Sequence, residues 1–310
     1  MTERTYPLSY TELNSLPPEL GLFEHGLQKN NVQESVKNRE AGADGMGSVD
    51  MLSPFAFEET LCRDIGAGLA PPSIHLWSHP SGVVLGLRDS KLPCARQAMN
   101  KLEEQGVYTA VRHSGGAAVP LDAGIVNVSL LLPKSRGKLD FHDDFRLLSS
   151  LITEAVAVTH PKAAAQIEAG EIVHSYCPGD FDLSIGGRKF CGIAQRRQSS
   201  AYFVHAFVVV SGSGKQRGEL IRNFYADAVC GQEGLSYPDV HPESIAALGE
   251  LGGPDAAEVF TAGIKEALEK RGIRLRPASA LALEMGYSLE YGDERVREAA
   301  QVLRERYAQQ

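Results

Sequence analysis

The chain has 310 residues, 43% of them hydrophobic, and a formal net charge of −8 at pH 7. A chain of this length removes most of its surface from water on folding, so it can bury one large core or two modest ones. The acidic balance argues against general binding of nucleic acid. No apolar run approaches the length of about 18 residues that a membrane span needs, and no signal peptide is evident. We therefore expect a cytoplasmic protein.

The two ends of the chain differ in composition from its middle. Residues 1–50 are predicted to be a peripheral extension, with a flexible insertion over 28–50. This insertion is polar and rich in Asn, Glu, Lys and Gly, so it buries too little apolar surface to order itself. Residues 51–280 are predicted to form the catalytic domain. Apolar side chains recur at helical spacing in 281–310 and predict a C-terminal helix.

Periodicity predicts the main elements of the middle of the chain. Apolar residues at helical spacing predict helices over 55–64, 92–105, 141–158, 217–229 and 256–271. Runs rich in β-branched and aromatic residues predict strands over 73–77, 82–87, 107–111, 126–132 and 202–210. Strands come first and helices dominate later, which is typical of an α+β fold rather than of strict β-α alternation.

Cys177 and Lys189 are the best candidates for chemistry. Pro178-Gly179 predicts a turn, residues 181–185 alternate like a strand, and Gly186-Gly187 predicts a hairpin whose second strand carries Lys189. A thiol attacks carbonyls as the thiolate, and a nearby ammonium stabilises that anion, so the pair forms a nucleophile without histidine. The alternative is a buried structural cysteine and a solvated hairpin lysine.

The remaining His and Cys residues suggest few other roles. His174 lies three residues before Cys177 and is a possible base. In an extended segment, however, an odd separation points the two side chains to opposite faces. The five cysteines are odd in number, widely spaced and without a C-x-x-C motif. We therefore expect reduced thiols, no disulfide framework and no metal site.

Two segments carry a resemblance to a known family. The first is a glycine-pair segment that contains Arg112, Ser114, Gly115, Gly116, Asp122 and Asn127. The second is a strand that contains Lys189, Gly192 and Gln195. Both resemble segments of the biotin and lipoate protein ligase superfamily, and the likeness covers residues 51–280. The resemblance implies a biotin/lipoate protein ligase-like α+β fold, with a mixed β-sheet core flanked by helices and a helical C-terminal segment.

The segment around Cys177, with its interval to Lys189, is similar to the branch of this superfamily that relays octanoyl groups between proteins. This resemblance implies that Cys177 forms an acyl thioester and that Lys189 stabilises the thiolate. It assigns the other matched residues to substrate binding: Arg112, Ser114, Gly115, Gly116, Asp122, Asn127, Gly192 and Gln195. It further implies transfer of an octanoyl or lipoyl group from a lysine of the glycine cleavage H protein to a lysine of the lipoyl domains of 2-oxoacid dehydrogenases, without a cofactor.

Three other functions stay open at this point. One is a transferase that takes octanoate from acyl carrier protein, and another is an ATP-dependent lipoate-protein ligase, which does not need Cys177. A third is a noncatalytic module that captures acylated domains. Such a module would use the basic cluster of Arg188, Lys189, Arg196 and Arg197, which is either a docking patch for an acidic protein or an ordinary solvated surface.

Overall fold

The computed structural model describes residues 16–27, 50–112, 115–134 and 141–308. Ser114 and residues 28–49 of the predicted insertion lie outside them. The strands in the described residues are β1 (Glu19–His25), β2 (Ser73–Trp77), β3 (Ser81–Leu85), β4 (Tyr108–Val111), β5 (Val119–Asp122), β6 (Ile125–Pro133), β7 (Ile167–Ala169), β8 (Leu183–Ile185), β9 (Arg188–Arg197), β10 (Ala201–Val209) and β11 (Arg274–Pro277).

The α-helices of the same residues are α1 (Ser53–Gly66), α2 (Ala95–Glu104), α3 (Phe141–Thr159), α4 (Pro161–Ala164), α5 (Gly214–Ala228), α6 (Ala257–Lys270), α7 (Ala278–Met285) and α8 (Glu294–Ala308). Within the described residues, three short 3₁₀ helices span Asp89–Lys91, Pro242–Ser244 and Gly249–Leu251. No helix in the described part of the chain combines the length and the apolar character that crossing a membrane requires.

The strands form a large mixed sheet and a small one. The large sheet has the order β11-β1-β2-β6-β10-β9-β8-β7, in which β1 runs parallel to both of its neighbours and the other pairs are antiparallel. The small sheet has the order β4-β3-β5. This architecture confirms the predicted α+β fold with a mixed sheet core and flanking helices.

The large sheet is covered on both faces. Along β6, Val128 and Leu130 pack into a core formed with α3 and α6, whereas Ile125 and Leu131 pack into a second core with α1, α5 and the small sheet. Successive side chains of a strand point to opposite faces, and here both faces are apolar. The chain therefore builds two cores on one sheet, and the glycine-pair segment lies on the side of the second core.

The helices and strands predicted in the middle of the chain are present, with bounds that differ by a few residues. The N-terminal segment differs from its prediction. Residues 1–50 were predicted to be peripheral, but β1 lies inside the large sheet between β11 and β2. Its apolar residues Leu20, Leu22 and Phe23 are buried. Because the run is short and is interrupted by Gly21, its alternation gave too weak a strand signal.

A disulfide corrects the prediction that all thiols are reduced. Cys94 and Cys230 are bonded, with their Cα atoms 5.9 Å apart, although 136 residues separate them in sequence. Cys94 precedes α2 and Cys230 follows α5, and the Cys94 amide donates to the carbonyl of Ala228 at 2.8 Å. Packing of these helix ends brings the two cysteines together, which residue spacing alone does not reveal. Cys62, Cys177 and Cys191 are free thiols.

Candidate active site

The β8–β9 hairpin brings Lys189 next to the loop that carries Cys177. Gly186 and Gly187 both have positive φ, at 57° and 72°, which suits a tight hairpin turn. The hairpin pairs Ser184 with Lys189. Cys177 lies in the loop that precedes β8, and its own φ of 47° is in the left-handed region. A residue other than glycine costs about 1 to 3 kcal/mol in such a conformation, so its surroundings must hold it there.

The ammonium of Lys189 supplies that restraint. Its Nζ donates to the carbonyl oxygen of Cys177 at 2.7 Å and to that of Tyr176 at 3.0 Å. It also forms an ion pair with the carboxylate of Asp182, with Nζ and Oδ2 separated by 2.7 Å. An ammonium carries three N–H donors, so all three are used in this arrangement. Lys189 is 1% exposed, and its charge therefore acts on the backbone of the cysteine loop in a buried setting.

Asp182 links this lysine to the turn after the cysteine. Its Oδ2 accepts a hydrogen bond from the Gly179 amide at 3.1 Å as well as the ion pair from Lys189. Burial raises the pKa of the Asp182 carboxyl to about 6, and the charge of Lys189 opposes this rise. The loop around Cys177 is thus held from both sides by one buried ion pair.

The thiol itself faces the glycine-pair segment. The amide of Ala117 donates to Sγ of Cys177 at 3.2 Å, and Nη2 of Arg112 donates to it at 3.5 Å. Arg112 is buried and is held by the carbonyl oxygens of Gly115 and Ala117, at 3.2 and 2.8 Å. A guanidinium and an amide directed at sulfur stabilise a thiolate. Among the described residues, these two groups donate the hydrogen bonds to the sulfur.

Gly116 makes the close approach possible. Its φ is 101°, and a Cβ at this position would lie 2.7 Å from Sγ of Cys177 and 2.5 Å from Nη2 of Arg112. Both distances are shorter than any normal contact of a Cβ atom. Only glycine therefore fits between the thiol and the guanidinium, which explains why the chain has a glycine at this point of the segment.

A buried hydrogen-bond chain supports the same segment from behind. The Ala118 amide donates to the Tyr225 hydroxyl at 3.1 Å, and that hydroxyl donates to Asp89 at 2.9 Å. Asp89 also accepts from the Gly86 amide at 2.8 Å. Burial raises the pKa of the Tyr225 hydroxyl well above its ordinary value, so the hydroxyl stays protonated and remains a donor. Satisfied buried networks of this kind rigidify the backbone that they join.

Cys177 opens onto a cavity of about 280 Å³. Its apolar lining comes from both sheets and two helices and includes Phe55, Val84, Val119, Leu121, Phe145 and Phe207. Its polar lining includes Arg112, Asn127, Gln195 and His205. A largely apolar cavity with a nucleophile in its wall has the character of a site for an acyl chain.

The structure places most of the predicted binding residues at this cavity. Those that line it are Arg112, Gly115, Gly116, Asn127, Gly192 and Gln195. At Gly192, a Cβ would lie 2.5 Å from the ring of Phe207, so the glycine lets this ring cover the strand. The side chain of Gln195 is held by Asp144 and by Arg197.

Asp122 lies apart from the cavity lining. Both of its carboxylate oxygens accept hydrogen bonds from the Arg217 guanidinium at 2.7 Å, and Oδ1 also accepts from the Gly124 amide at 2.8 Å. A bidentate ion pair of this kind ties the end of β5 to α5. The structure thus gives Asp122 partners within the protein, and the substrate-binding role that the resemblance implies for it stays a prediction.

His174 and two arginines of the basic cluster have local partners. The imidazole of His174 lies 3.1 Å from Asp239 and stacks on His241, rather than forming the base that the sequence left open. In the basic cluster, Arg196 pairs with Glu59 and Arg197 with Asp144. A docking role for this cluster stays a prediction.

Sequence reasoning missed Asp182 and the Ala117 amide as parts of the site. Asp182 lies just before β8, in the alternating run of residues 181–185, and resembles an ordinary carboxylate at a strand end. The signal that could have identified Asp182 is the predicted hairpin, which places the residue before its first strand near Lys189 in its second strand. The Ala117 amide belongs to the backbone, so no side-chain pattern identifies it.

The fold is that of the lipoate protein ligases. A structure titled putative lipoate protein ligase Ta0514 from T. acidophilum, with bound lipoic acid, has a TM-score of 0.59 and 17% identity, and the match covers 94% of this chain and 97% of that one. Lipoate-protein ligase A bound with ATP gives a TM-score of 0.57 at 18% identity, covering 84% of this chain and 92% of that one. At these identities the likeness concerns the fold alone.

Comparison with known sequences shows the family to which the chain belongs. Residues 50–266 match the family described as Lipoyl protein ligase A/B catalytic domain, and the chain belongs to this family. A relative from Anoxybacillus flavithermus, named octanoyl-[GcvH]:protein N-octanoyltransferase, is 39% identical over 239 residues, which are 76% of this chain and 85% of the relative. A relative from Listeria monocytogenes, named lipoyl-[GcvH]:protein N-lipoyltransferase, is 36% identical over 74% of this chain and 80% of its own length.

Proposed function

We propose that the chain transfers an octanoyl group between proteins by way of a thioester on Cys177. The observation that carries the proposal is the position of the thiol. Sγ of Cys177 lies in the wall of an apolar cavity and in contact with the Arg112 guanidinium and the Ala117 amide. An activated thiol next to space for an alkyl chain is what acyl transfer requires.

The chain is an N-octanoyltransferase of protein lipoylation, the activity named for several relatives at 39% to 43% identity. The names of these relatives give GcvH, the glycine cleavage H protein, as the acyl-carrying protein. We assign it as the donor here. The acceptor in our proposal is a lysine of a lipoyl domain of a 2-oxoacid dehydrogenase complex.

In the first half-reaction, Sγ attacks the carbonyl carbon of the octanoyl–lysine amide. The C–S bond forms, the C–N bond breaks, and the donor lysine leaves as an amine that carries the proton lost by the thiol. Arg112 and the Ala117 amide stabilise the thiolate before attack, and they lie beside the point where negative charge develops on the carbonyl oxygen. The acyl chain then remains on Cys177 as a thioester.

In the second half-reaction, the acceptor lysine attacks the thioester carbon as a neutral amine. The new C–N bond forms, the C–S bond breaks, and the thiol regains a proton from the amine. Because one amide is broken and another is made, the overall exchange is nearly balanced in free energy and needs no ATP. Partner concentrations therefore set its direction.

Lys189 and Asp182 position the nucleophile in this scheme. Two of the three hydrogen bonds of Lys189 go to the carbonyls of Tyr176 and Cys177, and the third goes to Asp182. These bonds hold Cys177 in its left-handed conformation, which turns Sγ towards the Ala117 amide. Misplacing a reacting atom by about 1 Å costs on the order of a hundredfold in rate, so this restraint is a large part of the chemistry.

Substitution of Cys177 by Ser tests the proposal. The Cys177→Ser variant should fold, because the side-chain volume hardly changes, and should lose transfer by several orders of magnitude, because an alcohol stays protonated at neutral pH. Transfer from octanoylated H protein to a lipoyl domain is the measurement. Cys62→Ala is the matched control, since burial raises the pKa of the Cys62 thiol to about 12 and leaves it unreactive. Full activity of Cys177→Ser refutes the thioester route.

The same assay separates the other candidate functions. Replacing the donor with octanoylated acyl carrier protein tests the transferase that takes its acyl group from that carrier. Free octanoate with ATP tests the ligase. Rapid transfer from octanoylated H protein, with neither alternative donor supporting it, is the result expected from the proposal.

A further inference from the structure

A cluster of potential metal ligands lies on the surface just before the cysteine loop. Among the residues that the structure describes, His174, Asp239 and His241 offer three ligand atoms that all lie within 4.8 Å of one another. The spacing of the cysteines predicts no metal site, but the fold brings His174 next to a D-x-H segment that begins 65 residues later.

The distances between the ligand atoms of the cluster are similar to those between neighbouring ligands of one metal ion. Nδ1 of His174 lies 3.1 Å from Oδ2 of Asp239, and Nε2 of His241 lies 3.3 Å from the same oxygen. Ligands held about 2.0 to 2.1 Å from a tetrahedral Zn²⁺ lie about 3.3 Å from one another. Because an imidazole binds a metal in the plane of its ring, one ion can contact the oxygen and both nitrogens only after the two stacked rings rotate out of parallel.

The backbone presents these side chains together. His174 has a φ of 64°, and its ring stacks on that of His241 with centroids 4.0 Å apart and planes 5° from parallel. The His174 carbonyl accepts hydrogen bonds from the His241 amide at 2.8 Å and from the Ser244 hydroxyl at 2.9 Å. The two segments are thus clamped by their main chains, so binding an ion would cost little further ordering.

We propose that His174, Asp239 and His241 bind one divalent transition-metal ion, such as Zn²⁺ or Co²⁺. Two imidazoles with one carboxylate suit these borderline metals, whereas Mg²⁺ and Ca²⁺ prefer sites made of oxygen ligands alone. The side chains are 44%, 75% and 55% exposed, in chain order, so water completes the coordination sphere on the solvent side.

The bound ion would brace the two segments that meet at Cys177 and Lys189. Beyond His241, the chain continues to Ile245 and Ala246, and the Ala246 amide donates to the Lys189 carbonyl at 2.9 Å. Beyond His174, it continues to Tyr176 and Cys177. A cross-link between the two histidines therefore restrains both halves of the site from the outside, independently of how acyl transfer proceeds.

Co²⁺ binding to the full-length, untagged Cys177→Ser protein is the test, because this background removes the reactive thiol as a competing ligand. We expect saturable binding of one Co²⁺ per chain, with the visible absorption of a nitrogen and oxygen site and without the ultraviolet charge-transfer band of a cobalt–thiolate bond. We expect Zn²⁺ to displace it, Mg²⁺ to leave it in place, and the melting temperature to rise with the bound ion.

Variants of the two histidines provide independent checks. His174→Asn removes the imidazole while keeping a residue that tolerates the left-handed conformation, and His241→Gln changes a residue in an ordinary conformation. Each should weaken Co²⁺ binding by at least about tenfold. His160→Gln, at the residue that follows α3, is the matched control and should bind normally. Absence of saturable binding in the parent protein, a thiolate band, or normal binding in both ligand variants would overturn the proposal.

Discussion

Two buried carboxylates, Glu58 and Asp182, show how similar groups take on different roles in this fold. Each is 1% exposed and each has a nitrogen base beside it. Glu58 lies in α1 under the large sheet, and Asp182 lies beside the cysteine loop. Their pKa values nevertheless move in opposite directions, and the difference comes from how far the neighbouring charges and hydrogen bonds offset burial.

Glu58 is held by three donors from the large sheet. One of its oxygens accepts from the His75 imidazole at 3.0 Å, the Trp77 indole at 3.0 Å and the Ser129 hydroxyl at 2.6 Å. Burial alone would raise the pKa of this carboxyl, but the bond and charge of His75, with the Ser129 bond, bring it below the ordinary value. The group therefore stays ionised and ties α1 to β2 and β6.

At Asp182 the effect of burial is larger than that of its partners. The ion pair with Lys189 and the bonds from the Gly179 and Ile172 amides do not offset the loss of water, so the pKa of Asp182 rises to about 6. A titratable group that is only partly compensated, next to a nucleophile, is typical of a functional site, whereas a saturated network is typical of a structural one. The contrast teaches that burial by itself does not distinguish the two roles.

The largest expected effect comes from exchanging each carboxylate for its amide. Asp182→Asn should lower transfer by about a hundredfold, because Lys189 loses its counter-charge and the cysteine loop loses its restraint. Its stability at neutral pH should change little, since the burial cost that the carboxylate carries is removed as well. Glu58→Gln should instead lower the free energy of unfolding by about 1 to 3 kcal/mol, because three donors face an altered acceptor.

Steady-state kinetics and chemical denaturation of both variants make the measurement. The comparison fails if Glu58→Gln loses transfer while keeping its stability, or if Asp182→Asn unfolds and Glu58→Gln does not. Cys62→Ala, which alters α1 near Glu58 without touching the carboxylate, serves as the control for general disturbance of that helix.

The two carboxyls should also give pH dependences of opposite sign. The folded pKa of Asp182 is raised, so its stabilising contribution is complete below pH 3.8 and is lost as the pH rises through about 6, a change of about 3 kcal/mol. The folded pKa of Glu58 is lowered, so its contribution is present above pH 4.5 and is lost as the pH falls. Unfolding free energies of each variant and the wild type, compared across pH, should show the two opposite slopes. Equal slopes would contradict the contrast.

A smaller effect is expected at the backbone that faces the thiol. Gly116→Ala should reduce kcat/KM by about tenfold or more, because its Cβ would overlap both Cys177 and Arg112 and overpacking costs about 1 to 3 kcal/mol. Gly68→Ala is the matched control. Gly68 also has a positive φ, 73°, but nothing lies within 4 Å of its Cβ position, so it tests backbone strain alone. Equal activity of the two variants would show that the contact at the thiol is unimportant.

The smallest effect concerns the length of the acyl chain. If the chain is buried in the cavity, each methylene contributes about 0.8 kcal/mol, so hexanoyl donors should react about tenfold more slowly in kcat/KM than octanoyl donors. Decanoyl donors should also react more slowly once the cavity is full. Rates for the three donors on one carrier protein give the answer. Equal rates for the three donors would mean that the acyl chain is not buried against Phe145 and Phe207.

Local patterns predicted much of the site, and long-range packing produced the rest. The Gly186-Gly187 turn was readable because a tight hairpin needs residues that tolerate positive φ, and this turn placed Lys189 beside the cysteine loop. The approach of Arg112 to Cys177 depends on residues 65 apart, so it could not be derived from periodicity. The same holds for β1 in the middle of the sheet and for the Cys94–Cys230 bond, both of which arise when distant segments pack.

The measurement that tests the central claim most directly is the intact mass of the protein after brief mixing with octanoylated H protein. The account predicts that wild-type chain gains the mass of one octanoyl group, that peptide mapping places it on Cys177, and that adding a lipoyl domain removes it. Cys177→Ser should gain nothing under the same conditions. Efficient transfer to the lipoyl domain by a protein that never gains this mass, or transfer that persists in Cys177→Ser, would contradict the account.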